Sequence, residues 1–532
     1  MIGRFDGGSL GTRGAVDSYW LALGRRDPNL STVRVVVTVV LGDRTIRAAT
    51  EPVQATSGRT GQVFDYRPIL DAEPLIDLAV SLGSRAPTGR SFAVSLRNVG
   101  IDLSDLLVDA KPIGGDAEIA LVVDGMDHDL RLVIVRGVVE GGVTFRLEGE
   151  ALTVTITDPI ETAARSVPPQ VVDLSGWVHA HESAVGQRVA RVYNEWANVP
   201  AVRVRDVVGG TGPAFAVCDD PDRLTISEVR VNGEVKASGD ATYPWSEEVL
   251  VSSRGDRVLA VDFGTSGATW EDSDSVHVSV ERRVGVRTMG VLDVLTHLLR
   301  STSLGPAALR PDLFAVSGAR LGPSSPVVLI NASGPQTVNV RDAIGPLLDG
   351  WPGLHLVYEQ GGLGPILLDR RFEVVRGVAA ELVGGTYPLL DRGMVEEAPR
   401  AGLMNDLEVR YDFDSMDDHF VGFVRRNADN SSRAATSEGL IGRRTSDVAQ
   451  LQYVGSATDA GAAADWMIEH LSLPWYYLEW TCPASAFLRF RRGQSVIYTD
   501  PDLTALSEVR ALVVRVSYQR GRTTLGLLVW AR

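Results

Sequence analysis

Lysine is almost absent. Lys111 and Lys236 are the only two, and arginine supplies the rest of the 52 basic side chains. A phosphate-cradling P-loop needs its GKS or GKT lysine, and neither lysine follows a glycine-rich loop, so that class of nucleotide binding is excluded. Positive charge as a whole is in deficit, with 67 acidic residues and a formal net charge of -15. Wrapping a nucleic-acid backbone requires a basic footprint whose counterion release drives binding, and this balance argues against it. Cysteine is scarce as well. Cys218 and Cys482 lie far apart with no CxxC spacing, which leaves neither a disulfide scaffold nor a structural zinc site, and both read as small core residues. Long apolar runs are missing: no stretch reaches the ~18–20 residues of a membrane span, and the opening MIGRFDGGSLGTRG lacks the apolar segment of a signal peptide. A soluble chain with no membrane-spanning segment is expected.

What remains is ample for folding. Hydrophobic residues make up 44% and charged residues 22%, the balance of an ordinary folded chain, so broad disorder is not expected. At 532 residues the chain exceeds the roughly 250–300 residues of a single core, and three or four domains are expected.

The β-branched run from Val33 to Leu41 reads as a buried strand, because side chains stiff at χ1 fit a pleated surface. Between Pro68 and Gly83, Ile76, Leu78, Ala79 and Leu82 fall near helical spacing and predict a short helix capped by Gly83. From Ser91 onward, alternation in Phe92, Val94 and Leu96, and again in Val143, Phe145 and Leu147, predicts an antiparallel meander with Glu140-Gly141-Gly142 as a hairpin loop. A first β-barrel or sandwich domain, 1–160, would end near Asp158-Pro159. Residues 161–177, with Pro168-Pro169, read as a linker into a second β-domain, 161–286, where Asn232-Gly233 suits a type I′ hairpin turn.

The period changes at Thr288–Ser303, where Val291, Leu292, Leu295, Leu298 and Leu299 form the stripe of an amphipathic helix. This opens a mixed α+β domain, 287–384, containing the helix-like VRDAIGPLLDGW and two strands turning at Gly361-Gly362. The last domain, 385–532, has the strand NDLEVRYDF, a polar loop RRNADNSSRAATSEG, a helix ATDAGAAADWMIEHLSL, and a closing hairpin turning at Arg520-Gly521. Simple alternation along the first arm of that hairpin sets Ala511, Val513, Arg515 and Ser517 on one face. Leu512, Val514, Val516 and Tyr518 fall on the other. The fold class is therefore mainly β with some α+β, in several domains, with no internal repeat.

Few residues offer chemistry. His179 and His181 are spaced to give two metal ligands but lack a third, and read as surface residues. Asp412, Asp414, Asp417 and Asp418 are a dense carboxylate cluster that fails the EF-hand pattern and reads as a solvated acidic turn. Asp219-Asp220-Pro221-Asp222 is read the same way. Gly264-Thr265-Ser266-Gly267 lacks the spacing of a nucleophile elbow, and the glycine clusters at 207–213 and 361–365 lack dinucleotide-binding spacing. Trp475, Tyr476, Tyr477 and Trp480 in LPWYYLEW are either a stacking platform or strand core, the latter being favoured. No catalytic, cofactor-binding or metal-ligating residue is assigned, and no enzyme is expected.

The order of elements resembles tail-hub proteins of tailed bacteriophages, gene transfer agents and contractile injection systems. SFAVSLRNVGIDLSDLL followed by DHDLRLVIVRGVVEGGVTFRLEGEALTVTITDP looks like the first tube-type barrel of a hub. VYNEWANVPAVRVRDVVGGTGPAFAVCDDPDRLTISEVRVNGEVKAS is similar to an inserted β-domain, and VLDVLTHLL through FEVV resembles the mixed domain between barrels. The C-terminal strand, helix and hairpin follow the order of a second tube-type barrel. The resemblance implies a homotrimeric baseplate hub in which two barrels per subunit form a six-fold-like ring. Its neighbours would be the tail tube, the distal tail protein, the tape measure protein and tail fibre or spike proteins. DNA would pass through the virion's tail tip without specific binding, and acidic channel walls would let it slide. The alternatives are a glycan- or cell-surface-binding β-protein of the tail tip and a tail-associated peptidoglycan hydrolase.

Overall fold

A computed structural model describes residues 10–41, 44–80, 91–97, 115–145, 151–157, 166–167, 170–207, 211–264, 269–271, 273–301, 309–322, 324–330, 338–359, 361–371, 391–397, 402–498, 509–519 and 521–530. Lys111, Gly83, Leu147, Asp158-Pro159, Pro168-Pro169, Gly209-Gly210, Thr265-Ser266-Gly267 and Arg520 lie outside them.

The valine-rich run forms the strand Val33–Leu41, as its β-branched side chains require. It lies inside an antiparallel six-stranded sheet whose order is Arg44–Ala49, Val33–Leu41, Asp116–Val123, Leu132–Phe145, Ala151–Thr157 and Ser91–Arg97. The chain at 67–71 is hydrogen-bonded to both edges of this sheet. Ala49 N–H donates to the Arg67 carbonyl at 2.8 Å and Arg97 N–H to the Ile69 carbonyl at 2.6 Å, so the sheet curls until its edges meet on one segment. Glu140-Gly141-Gly142 is no hairpin loop. Leu132–Phe145 runs through it as one strand, and the register against Ala151–Thr157 shifts between Glu140 and Thr144, a bulge that bends the strand.

The helix expected near 76–82 is also corrected: Ile76–Ala79 is a strand, with Ile76 and Leu78 buried on one face, and it pairs with Val509–Gln519 at the far end of the chain. Four residues are too few for periodicity to separate the two conformations, and the vacant sheet edge decides. The second large sheet thus orders Asp391–Glu397, Trp475–Pro483, Arg522–Trp530, Val509–Gln519 and Ser495–Tyr498. Ile76–Ala79 continues the edge beyond Ser495–Tyr498, opposite Arg515 to Tyr518.

One apolar core joins the two ends of the chain. It gathers Trp20 from the helix Leu10–Arg26 and Val35, Val37, Ile119 and Ile156 from the first sheet with Trp480, Val513, Val516, Leu525 and Leu527 from the last. A second core occupies the middle. It takes residues from two four-stranded sheets within 196–282, from the amphipathic helix Val291–Arg300, and from the helices Val340–Asp349 and Ala457–Leu471. All three helices follow the sequence pattern. Asn232 and Gly233, at φ 52° and 83°, turn Val231 onto Glu234 as the type I′ reading requires. Gly361, at φ 77°, turns Glu359 onto Gly362.

The closing hairpin, Val509–Gln519 with Arg522–Trp530, divides the two cores. Simple alternation fails along its first arm because the register shifts between Val513 and Arg515, leaving Val514 as an extra residue. Ala511, Val513, Val516 and Tyr518 face the end core, while Leu512 and Val514 face the central one. Both faces are therefore apolar where they meet a core. Gly526 lies opposite Arg515 in this ladder, and a Cβ there would come within 2.7 Å of the Arg515 Cβ and 2.6 Å of the Tyr477 hydroxyl.

Candidate functional site

The residues singled out in the sequence do not converge. His181 caps a short 3-10 turn, its Nδ1 accepting from the Ser183 N–H at 3.2 Å, while His179 is exposed. Among the described residues no three His, Cys, Asp or Glu side chains are grouped to hold a metal ion. The acidic run after NDLEVRY is divided: Asp412, at φ 60°, and Asp414 end the strand Leu407–Asp414, while Asp417 and Asp418, the latter at φ 52°, lie in the turn that follows, where Asp414 accepts from the Met416 N–H at 2.9 Å.

Asp219 departs from the solvated-turn reading. It follows the wholly buried strand Ala214–Cys218, and its carboxylate, 2% exposed, pairs with Arg191 at 2.5 Å. Burial, only partly offset by Arg191, holds its pKa above the usual carboxylate range. Asp222, by contrast, pairs at the surface with Arg257.

Both cysteines are buried, and burial pushes the Cys482 thiol up to about 12, so neither is poised as a nucleophile. The aromatic residues of LPWYYLEW belong to the strand Trp475–Pro483. Trp480 is buried and donates to the Tyr498 hydroxyl at 3.0 Å, Trp475 and Tyr477 pack on the central core, and Tyr476 on the end core. They are strand core, not an open platform.

What the fold does present is edges. Asp391–Glu397 is bonded to Trp475–Pro483 on one side only among the described residues, with Val395 43% exposed. Among the described residues His419–Arg426 pairs only with Leu407–Asp414, and its outer face carries Val421 and Phe423, 63% and 67% exposed. Unpaired N–H and C=O rows beside exposed apolar side chains are templates for another strand. Neither DRGMVEE nor HFVGFVRR alternates in sequence, and their position at an edge depends on long-range pairing.

The joints behind these edges are ionic. Arg515 holds Asp77 through Nε and Nη2 at 2.7 and 3.1 Å and also reaches Glu479, tying the strand Ile76–Ala79 to the C-terminal sheet. Arg492, 5% exposed, holds Glu359 at 2.6 Å and reaches the Ala79 carbonyl at 3.4 Å. Asp406, beneath the second open edge, takes a bidentate pair from Arg425 at 3.0 Å and a further bond from Arg443. These arginines hold its carboxyl down to about 2.

No protein-family model and no curated protein matches the chain. Among solved structures, it is similar to the tail protein from Neisseria meningitidis MC58, with 11% identity over 94% of this chain and 96% of that one at a TM-score of 0.38. It is similar to the 43 kDa tail protein of prophage MuSo2 from Shewanella oneidensis, with 10% identity, coverage of 93% and 98%, and a TM-score of 0.38. A chain from the virion of a native gene transfer agent particle aligns with 14% identity over 70% of this chain and 91% of its own length, at a TM-score of 0.39.

Proposed function

We propose that this chain is a non-enzymatic, structural hub of a phage or phage-like tail, three copies of which close a ring between the tail tube and the trimeric components of the tip. The observation that carries the reading is the core shared by the two ends of the chain: two large antiparallel sheets, from 33–157 and 391–530, are locked together within one subunit. In this reading they are the two tube-type barrels, 1–160 and 385–532, and the parts between, 161–286 and 287–384, are the inserted and mixed domains. Three subunits with two such units each make six, the number needed to meet a hexameric tube. The open edges at Asp391–Glu397 and His419–Arg426 would be covered by neighbouring tail proteins or by other copies, and closed symmetry would limit growth.

The test is the absolute mass of the purified protein by light scattering, with negative-stain images of the same peak. A particle of three times the 57.2 kDa chain mass with a central hole is expected. A monomer that stays monomeric when mixed with its tail-tube and distal-tail neighbours would overturn the reading. Charge mapped onto the solved ring would test the channel separately: an acidic lumen fits passage of DNA, and a basic one does not.

A further inference from the structure

Arginine after arginine in this chain grips a carboxylate by the same edge of its guanidinium. Arg515 holds Asp77, Arg425 holds Asp406, Arg371 holds Asp369 and Arg370 holds Glu469, each through Nε and Nη2. Arg433 breaks the pattern. It is half-buried in the first turn of the helix Ser432–Ile441, and its Nε and Nη2 are closed off from solvent with no hydrogen-bond partner among the described residues.

Three effects oppose a cation in this position. The first turn of a helix favours negative charge, and this one has no acidic residue to offset Arg433. Burial lowers the affinity of Arg433 for its proton below that of an ordinary arginine, and Arg370 adds to this more than Glu469 offsets it. A buried donor without an acceptor also forfeits its hydration with nothing in return. The helix contact beside it repeats the last point. One turn further along the same helix, Ser437 donates to the Ser472 carbonyl at 2.5 Å, which seats this face on the end of Ala457–Leu471, where Glu469 stands. The Ser472 hydroxyl, fully buried, likewise has no partner among the described residues.

A guanidinium fork meets a carboxylate or a phosphate edge to edge, and an anion beside Arg433 would turn all three penalties into attractions. We infer that Arg433 is an oxyanion-binding residue whose Nε and Nη2, helped by Arg370 and the helix N-terminus, take a carboxylate or phosphate group from outside the chain. Because the side chain is only half-buried, a change of rotamer brings it to such a group while the helices stay in place. This does not depend on the hub reading.

The full chain at pH 7 is added to inorganic phosphate and, separately, to isotope-labelled acetate, with ionic strength held constant by sodium chloride, and the NMR line width of each ligand is followed. Saturable broadening is expected, weakened at least about tenfold in affinity by Arg433→Met and untouched by Arg25→Gln, on an exposed face elsewhere. Tighter binding of phosphate assigns the group to a phosphate, and tighter binding of acetate assigns it to a carboxylate. Arg433→Met also removes a charge that opposes its surroundings, so in chloride alone its urea midpoint should lie at or above that of the parent. Adding the oxyanion should raise the parent's midpoint and leave the variant's unchanged. Lines that stay sharp up to about 10 mM ligand, equal broadening in Arg433→Met, or a lower midpoint for Arg433→Met in chloride overturns the proposal, the last because it would mean that the chain itself partners Arg433.

Discussion

The end core and the central core press on opposite faces of the same hairpin, yet they are held by different means. The end core is assembled from the facing surfaces of two sheets, and nearly all its buried side chains are Val, Ile, Leu, Ala and aromatic residues. Its principal buried charge is Glu118, held by Arg131 at 2.7 Å and Arg136 at 3.2 Å. The central region, built from helices, hairpins and sheets that meet at many angles, buries Arg310, His355, Glu359, Asp369, Asn405, Asp406, His470 and Arg492. Sheet faces specify their own register, because a one-residue slip turns every side chain over. Elements lacking that constraint can slide, and a buried ion pair, weak as a source of net stability, then fixes one arrangement.

The sharpest way to break this comparison is at the extra residue of the hairpin. Inserting one alanine after Arg515, beside the bulge, turns the rest of the arm over, so Val516 and Tyr518 leave the end core and Ser517 is turned into it, while the pairing with Ile76–Ala79 is lost. Losing two large buried side chains costs about 1.5–3 kcal/mol each, and burying an unsatisfied hydroxyl about 1–3 kcal/mol more, against a total stability of about 5–15 kcal/mol. No cooperative urea transition is expected for this variant. A transition close to that of the parent would mean that register is not what holds the end core.

A smaller effect is expected where a polar pair governs. Arg492→Ala leaves Glu359 buried without its partner and should cost about 3–5 kcal/mol, read from urea unfolding. The paired change Arg492→Met with Glu359→Leu should recover most of that loss, since apolar side chains of similar volume often replace a buried pair without penalty. If the double variant stays as unstable as Arg492→Ala, the pair contributes net stability and not only arrangement.

Legibility in the sequence follows the same division. Val33–Leu41, the turn at Asn232-Gly233 and the helices Val291–Arg300 and Ala457–Leu471 were readable because β-branching, turn chemistry and the 3.6-residue period are local properties. The polar stretch after Arg426 was expected to be a loop, yet Ser432–Ile441 is a helix. Its signal is small: Ser431 caps it by accepting from the Ala434 N–H at 3.3 Å, Gly442 closes it at φ 75°, and only Ala434 and Ser437 are buried. Helices Leu10–Arg26 and Pro311–Leu321 have weak stripes and escaped notice for the same reason. The strand Ile76–Ala79, the bulge at Val514 and the buried Asp219 all depend on partners far away in the chain.

The finest comparison is between one histidine from each region. His128 stacks on Phe64 beside the end core and hydrogen-bonds the Tyr66 hydroxyl at 2.9 Å. His470, fully buried in the central region, donates from Nδ1 to the Trp466 carbonyl at 2.8 Å and accepts the Arg370 N–H at Nε2, 3.0 Å away. Burial, reinforced by neighbouring arginines, lowers both from 6.5 to about 4. Between those values the unfolded chain binds a proton that the folded one refuses. Stability is therefore complete above pH 6.5 and falls as the pH drops toward 4, by up to about 1.4 kcal/mol per pH unit for each histidine. Urea unfolding at half-unit steps from pH 7 to 4 should show that slope. His128→Gln and His470→Gln should each remove one histidine's share while lowering stability at pH 7. If only His470→Gln flattens the slope, proton-linked stability belongs to the polar central region alone, and the end core is insensitive to acid as its apolar construction suggests.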